Sequence, residues 1–106
     1  MVERFDVYLV SLDAVPSRDA KNTRPCVVIS PNEMNGNIAS VIIAPLTAAT
    51  AKYPTRIETE FLNGRRAIVL DQIRTVDKDR LVKKIGAIEE SARRLTLERL
   101  QEMFAP

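Results

Sequence analysis

The chain has 106 residues, of which 45% are hydrophobic, so it is long enough for one domain with one core and too short for two. Its formal net charge of +2 is too small to identify a nucleic-acid-binding protein without a local cluster of positive charge. It has no histidine and a single cysteine, Cys26, which excludes an internal disulfide and removes the commonest zinc ligands and the commonest general base.

No apolar run approaches the roughly 20 residues of a membrane-spanning helix, and the N-terminus carries no apolar signal region. We therefore expect a cytoplasmic protein without a membrane anchor, and the residue supply predicts neither a metal nor a cofactor. Cys26 lies inside a predicted strand with no histidine to activate it, so a buried and inert thiol is favoured over a nucleophile.

Six short strands are predicted in chain order, over 5–12, 24–30, 40–46, 55–61, 65–70 and 82–88. The second is almost continuously apolar, which indicates burial on both faces, and Pro45 in the third predicts an edge position or a bulge. Asn63-Gly64 is a strong hairpin signal. Polar residues predict a long loop over 13–22, a turn segment over 31–37, another loop over 48–52 and a short helical turn over 77–80.

Residues 89–104 form the one long predicted helix, which begins with acidic residues that complement the helix dipole. Leu97, Leu100 and Phe104 share a face, and Leu95 and Met103 widen it. Short strands, tight turns and a terminal helix predict an α+β, mainly β fold. The expected architecture is a small antiparallel barrel or curled sheet with helical cover, formed as a single domain by residues 1–106.

Three segments place polar side chains at the ends of predicted strands. The first is Thr23-Arg24-Pro25, which opens the second strand, and the others are Ala44-Pro45-Leu46-Thr47 and the stretch over 70–75. An arginine held at the end of a rigid strand can bind a phosphate with two parallel donors. These segments are therefore the candidates for an anion-binding site.

In sequence and order, the three segments resemble the MazF/PemK family of toxin endoribonucleases, and the resemblance extends over nearly the whole chain. It implies an SH3-like barrel of the MazF/CcdB type and a homodimer. It also implies metal-independent, sequence-specific cleavage of single-stranded RNA, including mRNA, through attack of the substrate's own 2′-hydroxyl on the adjacent phosphate. The implied partner is a small acidic antitoxin, and no cofactor is implied.

The resemblance implies catalytic roles for Arg24, Thr47 and Asp71. Arg24 matches the family's catalytic arginine, Thr47 matches a threonine that contacts the phosphate, and Asp71 matches a carboxylate that acts as a base or contacts RNA. The residues alone also allow plain structural roles: a solvated arginine, a β-branched strand residue, and an ion pair between Asp71 and Arg74.

Further residues are expected to contact RNA: Ser17, Arg18, Asp19, Thr23, Tyr53, Arg56, Gln72 and Arg74. Tyr53 is a candidate for base stacking, and Gln72 for reading a base edge. The loop segment Ser17-Arg18-Asp19 departs from the Gly-Ser-Glu or Gly-His-Glu of the family and retains only the acidic residue and a shifted hydroxyl.

Two other functions remain open at this point. One is a gyrase-targeting toxin of the same fold, which acts through residues of its C-terminal helix and lacks the pair formed here by Arg24 and Thr47. The other is a non-catalytic small barrel that binds RNA or protein, which the atypical loop over 17–19 keeps open. An RNA cleavage assay separates these alternatives.

Overall fold

The computed structural model describes residues 1–12, 22–48 and 52–106. Within them lie seven strands and two α-helices. In chain order these are β1 (Asp6–Ser11), β2 (Thr23–Val28), α1 (Asn32–Asn35), β3 (Ser40–Ala48), β4 (Arg56–Phe61), β5 (Gly64–Val69), β6 (Arg74–Asp77), β7 (Leu81–Ala87) and α2 (Glu90–Phe104). Short 3₁₀ turns at Leu70–Gln72 and Lys78–Arg80 flank β6.

All strand pairs are antiparallel, and the sheet has the order β4-β5-β3-β2-β1-β7, with β6 paired to β3. The sheet curls into a barrel whose edge strands, β4 and β7, share no backbone ladder. The ring of Phe61 at the end of β4 lies against Gly86 in β7, so side-chain packing brings the two edges together. The predicted mainly β, antiparallel, barrel-like fold with one long C-terminal helix is confirmed.

Strand β3 lies inside the sheet, so the edge position expected from Pro45 is wrong. Residues 40–43 pair with β6, Pro45 is the last residue paired with β2, and Leu46 begins the pairing with β5. Proline has no N–H to donate to a ladder. Pro45 therefore marks the point at which β3 changes its pairing partner from β2 to β5, not an edge strand of the sheet.

Two short elements, α1 and β6, were not predicted as such, because each is only four residues long. Their residues were assigned to a turn segment and to the stretch after the fifth predicted strand. In β6 only Val76 is buried, so the strand gives no alternating apolar pattern. The remaining strand boundaries differ from the predicted ones by one or two residues.

Hydrophobic residues form two clusters on opposite faces of the sheet. The barrel core, which α2 covers, includes Val7, Val27, Leu46, Ile57, Phe61, Ile68, Leu70 and Ile88. The second cluster comprises Val10, Cys26, Val28, Val41, Ile43, Val76 and Leu81. Consecutive residues of β2 point into different clusters, which confirms the prediction that this strand is buried on both faces.

Helix α2 lies along the edge strand β4. At its start, Glu89 Oε1 accepts hydrogen bonds from Thr59 Oγ1 at 3.2 Å and from the Glu60 N–H at 3.4 Å. Further along, Arg99 Nη1 donates to the carbonyl of Pro54 at 2.7 Å. The expected apolar face is only partly correct, because Leu97, Leu100 and Met103 pack on the barrel core whereas Leu95 and Phe104 stay 39% and 71% exposed. No helix among the described residues is long and apolar enough to cross a bilayer.

Gly86 is the residue of β7 at which we expect a methyl group to be most harmful. Its φ is +154°, and an added Cβ would lie 2.8 Å from Cε1 of Phe61. Gly86→Ala should lower the free energy of unfolding by roughly 2–3 kcal/mol through overpacking and backbone strain. Urea denaturation measures this, with Gly64→Ala as the control, since the atoms nearest to an added Cβ there belong to the flexible Arg66 side chain. Equal stability of the two variants would contradict the packing argument.

Candidate functional site

Arg24 lies at the start of β2, where backbone pairing with β1 holds the strand in place. It is paired with Val10 of β1, and the next residue, Pro25, is paired with Leu9. The Arg24 side chain is exposed and makes no hydrogen bond or ion pair with any other residue in the described part of the chain. A rigid strand therefore presents a guanidinium at the surface whose five donors are not used by any of the described residues.

The strand register brings Thr47 to the same face of the sheet as Arg24. The ladder between β2 and β3 ends at Cys26 and Pro45, and two further residues along each strand are Arg24 and Thr47. Residues opposite each other in antiparallel strands project to the same side. Thr47 is exposed, so its hydroxyl and the Arg24 guanidinium form one polar surface at the point where β3 leaves β2 for β5.

Arg74 joins this surface through β6, where it is paired with Ile43 of β3. Burial raises the pKa of the Cys26 thiol to about 12, and the positive charge of Arg74 opposes that rise. Arg74 thus lies near Cys26, which is on the same strand face as Arg24. The thiol is fully buried and protonated at neutral pH, as expected for an inert cysteine. We call Arg24, Thr47 and Arg74 the cationic face.

Asp71 does not end a strand, as the sequence suggested, but sits in the 3₁₀ turn after β5. Its Oδ1 accepts a hydrogen bond from Thr55 Oγ1 at 2.9 Å and lies 3.5 Å from Arg56 Nε. The suggested ion pair with Arg74 is therefore wrong, because the partner is Arg56. Partial removal from water raises the pKa of Asp71, but hydrogen bonds from Thr55 and the backbone, together with Arg56, outweigh this and lower it. The carboxylate is consequently a weak base at neutral pH.

A cavity of about 210 Å³ opens beside Thr47 at the mouth of the barrel. Its lining is mostly apolar and consists of Leu9, Pro25, Leu46, Thr47, Ala48, Phe61, Leu62, Arg66 and Ile85. Its one charged group is Arg66, whose Nε donates to the Phe61 carbonyl at 3.3 Å. No local sequence signal predicts this cavity, because its walls come from all strands of the barrel except β6.

A second cavity, of about 300 Å³, lies between β4, β5 and α2, and we call it the α2 pocket. Its lining residues are Lys52, Tyr53, Arg56, Glu58, Ala67, Leu95 and Arg99. The guanidinium of Arg56 stacks 4.9 Å above the ring of Tyr53. The structure thus brings the predicted RNA-binding residues Tyr53 and Arg56 together, and adds Arg99, which reads in the sequence as an ordinary charged helix residue.

The other predicted RNA-binding residues differ in accessibility. Gln72 and Arg74 are exposed, whereas Thr23 is buried at the start of β2. The predicted contacts of Ser17, Arg18 and Asp19 lie outside the described residues. Among the residues that the structure describes, no group of His, Cys, Asp and Glu side chains is placed to hold a metal ion.

Residues 3–104 match the family model of the PemK-like, MazF-like toxin of type II toxin–antitoxin systems. The chain is also similar to the endoribonuclease MazF of Staphylococcus epidermidis. The two are 38% identical over 97 residues, which cover 86% of this chain and 81% of the relative.

Solved structures show the same fold. One is an endoribonuclease in complex with its cognate antitoxin from a mycobacterial species, with a TM-score of 0.82, 23% identity and coverage of 100% of this chain and 98% of that one. Another is a MazE–MazF structure from Deinococcus radiodurans, with a TM-score of 0.79, 16% identity and coverage of 98% and 95%.

Proposed function

The chain belongs to the PemK-like, MazF-like family of toxins, and we propose that it cuts single-stranded RNA at the cationic face without a metal ion. It is a toxin endoribonuclease of a type II toxin–antitoxin system. The observation that carries our proposal for its site is the shared face of Arg24 and Thr47, two exposed side chains on fixed strands.

RNA can be cleaved without a metal or cofactor because its own 2′-hydroxyl attacks the adjacent phosphorus. The protein has to remove a proton from that hydroxyl, protonate the leaving oxygen and stabilise the extra charge on the phosphoryl oxygens. Arg24 is suited to the last task, since a guanidinium stays charged at any working pH and donates two parallel hydrogen bonds. Thr47 donates a further hydrogen bond to the phosphate from the same face.

Neither Thr47 nor Asp71 is well suited to the two proton transfers. A threonine hydroxyl is a poor acid by itself, so we assign Thr47 a phosphate contact first and proton transfer second. Asp71 stays our proposed carboxylate that contacts RNA or accepts a proton, from its position beside Thr55 and Arg56 at the edge of the α2 pocket rather than on the cationic face. Its lowered pKa makes it a weak base, so most of the rate enhancement is expected from electrostatic stabilisation by Arg24.

The proposal extends to the partners of the chain. We expect a cytoplasmic homodimer that binds RNA across its interface and recognises a specific sequence in splayed, single-stranded bases. The expected inhibitor is a small antitoxin whose acidic segment occupies the cationic face. The antitoxin complex of the mycobacterial relative supports this expectation. The gyrase-targeting alternative is disfavoured by the presence of Arg24 and Thr47 on one face of the sheet.

Cleavage of a long single-stranded RNA should persist in excess EDTA. The chain has no histidine and its one cysteine is buried, so it is poorly supplied with ligands for a catalytic metal ion. Mapping the cut sites by primer extension, with and without EDTA, gives both the activity and the sequence preference. Loss of cutting in EDTA with recovery in magnesium would contradict the metal-independent mechanism, and a protein that cuts no RNA would leave the non-catalytic barrel as the better interpretation.

A further inference from the structure

We propose that the α2 pocket is an RNA subsite, separate from the cationic face, in which Arg56 and Arg99 bind a backbone phosphate and Tyr53 stacks on a base. This inference rests on the proposed function, because it assigns to the same RNA a second contact away from the scissile phosphate.

The pocket has the chemistry of a nucleotide site. Lys52, Arg56 and Arg99 are three cationic side chains of its lining, although Arg56 and Arg99 each also lie 3.5 Å from a carboxylate oxygen. The one acidic residue of the lining, Glu58, is held by Arg65 at 2.6 Å. Tyr53 is 55% exposed although Arg56 stacks on one face of its ring, so a flat base can lie on the other face. A positively charged groove combined with an exposed aromatic ring is the usual arrangement of proteins that bind single-stranded nucleic acid.

The two arginines are positioned but incompletely hydrogen bonded. Arg99 is anchored through Nη1 on Pro54, while its buried Nε has no hydrogen-bond partner among the described residues and lies 3.5 Å from a carboxylate oxygen of Glu102. In the same part of the chain, the buried Nε of Arg56 makes no close hydrogen bond and lies 3.5 Å from Oδ1 of Asp71. The buried Nε groups fix the two guanidinium planes, and the terminal N–H donors that the described residues do not use remain for a phosphate.

The sheet connects the α2 pocket to Thr47. In β5, Ala67 is paired with Thr47 on one side and with Glu58 on the other, so the three side chains form one row on one face. Adjacent strands are about 4.8 Å apart, which puts the pocket floor roughly 5–10 Å from Thr47. An RNA strand that crosses the sheet at the cationic face therefore runs towards the pocket, and a short run of nucleotides covers that span.

The position of the pocket favours RNA over a protein segment as its occupant. It shares its row of side chains with Thr47, at the proposed scissile phosphate, and its exposed aromatic ring suits a planar base. An acidic peptide would use the positive charges but would not require stacking on Tyr53.

The test uses the full chain and a series of RNAs that share one cut site and grow by one nucleotide on either side. The penalty in kcat/KM for Tyr53→Leu should increase by about 5-fold to 150-fold when the added nucleotide reaches the pocket, the scale of one stacked base. Tyr53→Phe, which keeps the ring, should show a much smaller increase. The same penalty at every length, or none, would overturn the proposal.

Binding measurements test the phosphate contact independently of cutting. With an RNA blocked by one deoxyribose at the cut site, Arg99→Gln should reduce the steepness of log K against log salt by about 0.7. Arg94→Gln is the matched control, because Arg94 is exposed on the same helix, does not line the pocket and should leave the slope unchanged. Equal slopes for both variants would overturn the assignment.

Two further outcomes separate this inference from the proposed function. If wild type cuts RNA but Tyr53→Leu and Arg99→Gln behave like Arg94→Gln, the endoribonuclease stands and the subsite fails. If these variants weaken binding of a synthetic glutamate-rich peptide while leaving RNA binding intact, the pocket is a protein-binding site and the proposal is again overturned.

Discussion

Arg24→Ala is expected to lower the rate of RNA cleavage by about 100-fold to 1,000-fold, the usual loss when one preorganised donor to a developing oxyanion is removed. Arg24 is exposed and makes no hydrogen bond or ion pair with the other residues that the structure describes, so its stabilising interactions are available for the substrate. The loss should appear in kcat more than in KM, because the contact strengthens as charge accumulates on the phosphoryl oxygens.

Folding should survive this change, since the side chain contributes nothing to either hydrophobic cluster. Single-turnover cleavage measures the rate, and the urea midpoint checks the fold. Arg24→Lys should also cut poorly, because an ammonium group cannot reproduce two parallel hydrogen bonds. Arg94→Ala removes an equal charge from the exposed side of α2 and serves as the control. A folded Arg24→Ala protein that cuts at a rate near wild type would remove Arg24 from the mechanism.

The fold class was accessible from the sequence because local signals were strong and agreed with each other. The apolar run of β2, the Asn63-Gly64 turn between β4 and β5, and the periodicity of α2 each specify an element without tertiary information. The elements that were missed, α1 and β6, are four residues long, and β6 forms only by pairing with residues 40–43 of β3. Such pairing is invisible in a local window.

Some residues of the candidate site were likewise predictable from local motifs, whereas others depend on the tertiary structure. Arg24 and Thr47 were identified from motifs at strand ends, and the register explains why two segments more than 20 residues apart in sequence share a face. The partner of Asp71 could not be predicted, because the choice between Arg56 and Arg74 depends on the 3₁₀ turn after β5. Arg99 was missed for a related reason: it becomes part of a pocket only when α2 lies along β4.

The strongest test of the mechanism changes the substrate rather than the protein. Replacing the single ribose on the 5′ side of the cut by deoxyribose should abolish cleavage at that bond, because it removes the proposed nucleophile. Binding should be largely retained, since most of the affinity of a single strand comes from phosphates and stacked bases. A deoxyribose on the 3′ side of the same bond is the control, and RNA carrying it should still be cut. Denaturing gels measure both substrates.

The expectation follows from the lack of another activated nucleophile among the described residues. The Cys26 thiol is fully buried and its pKa is raised to about 12, so almost no thiolate exists at neutral pH. Thr47 has no histidine beside it to accept its proton, because the chain has none. Attack by the 2′-hydroxyl should leave a 2′,3′-cyclic phosphate on the first product, which mass spectrometry detects. Efficient cutting of the deoxyribose-containing bond would mean that water or a side chain attacks, and the roles of Arg24, Thr47 and Asp71 would have to be reassigned.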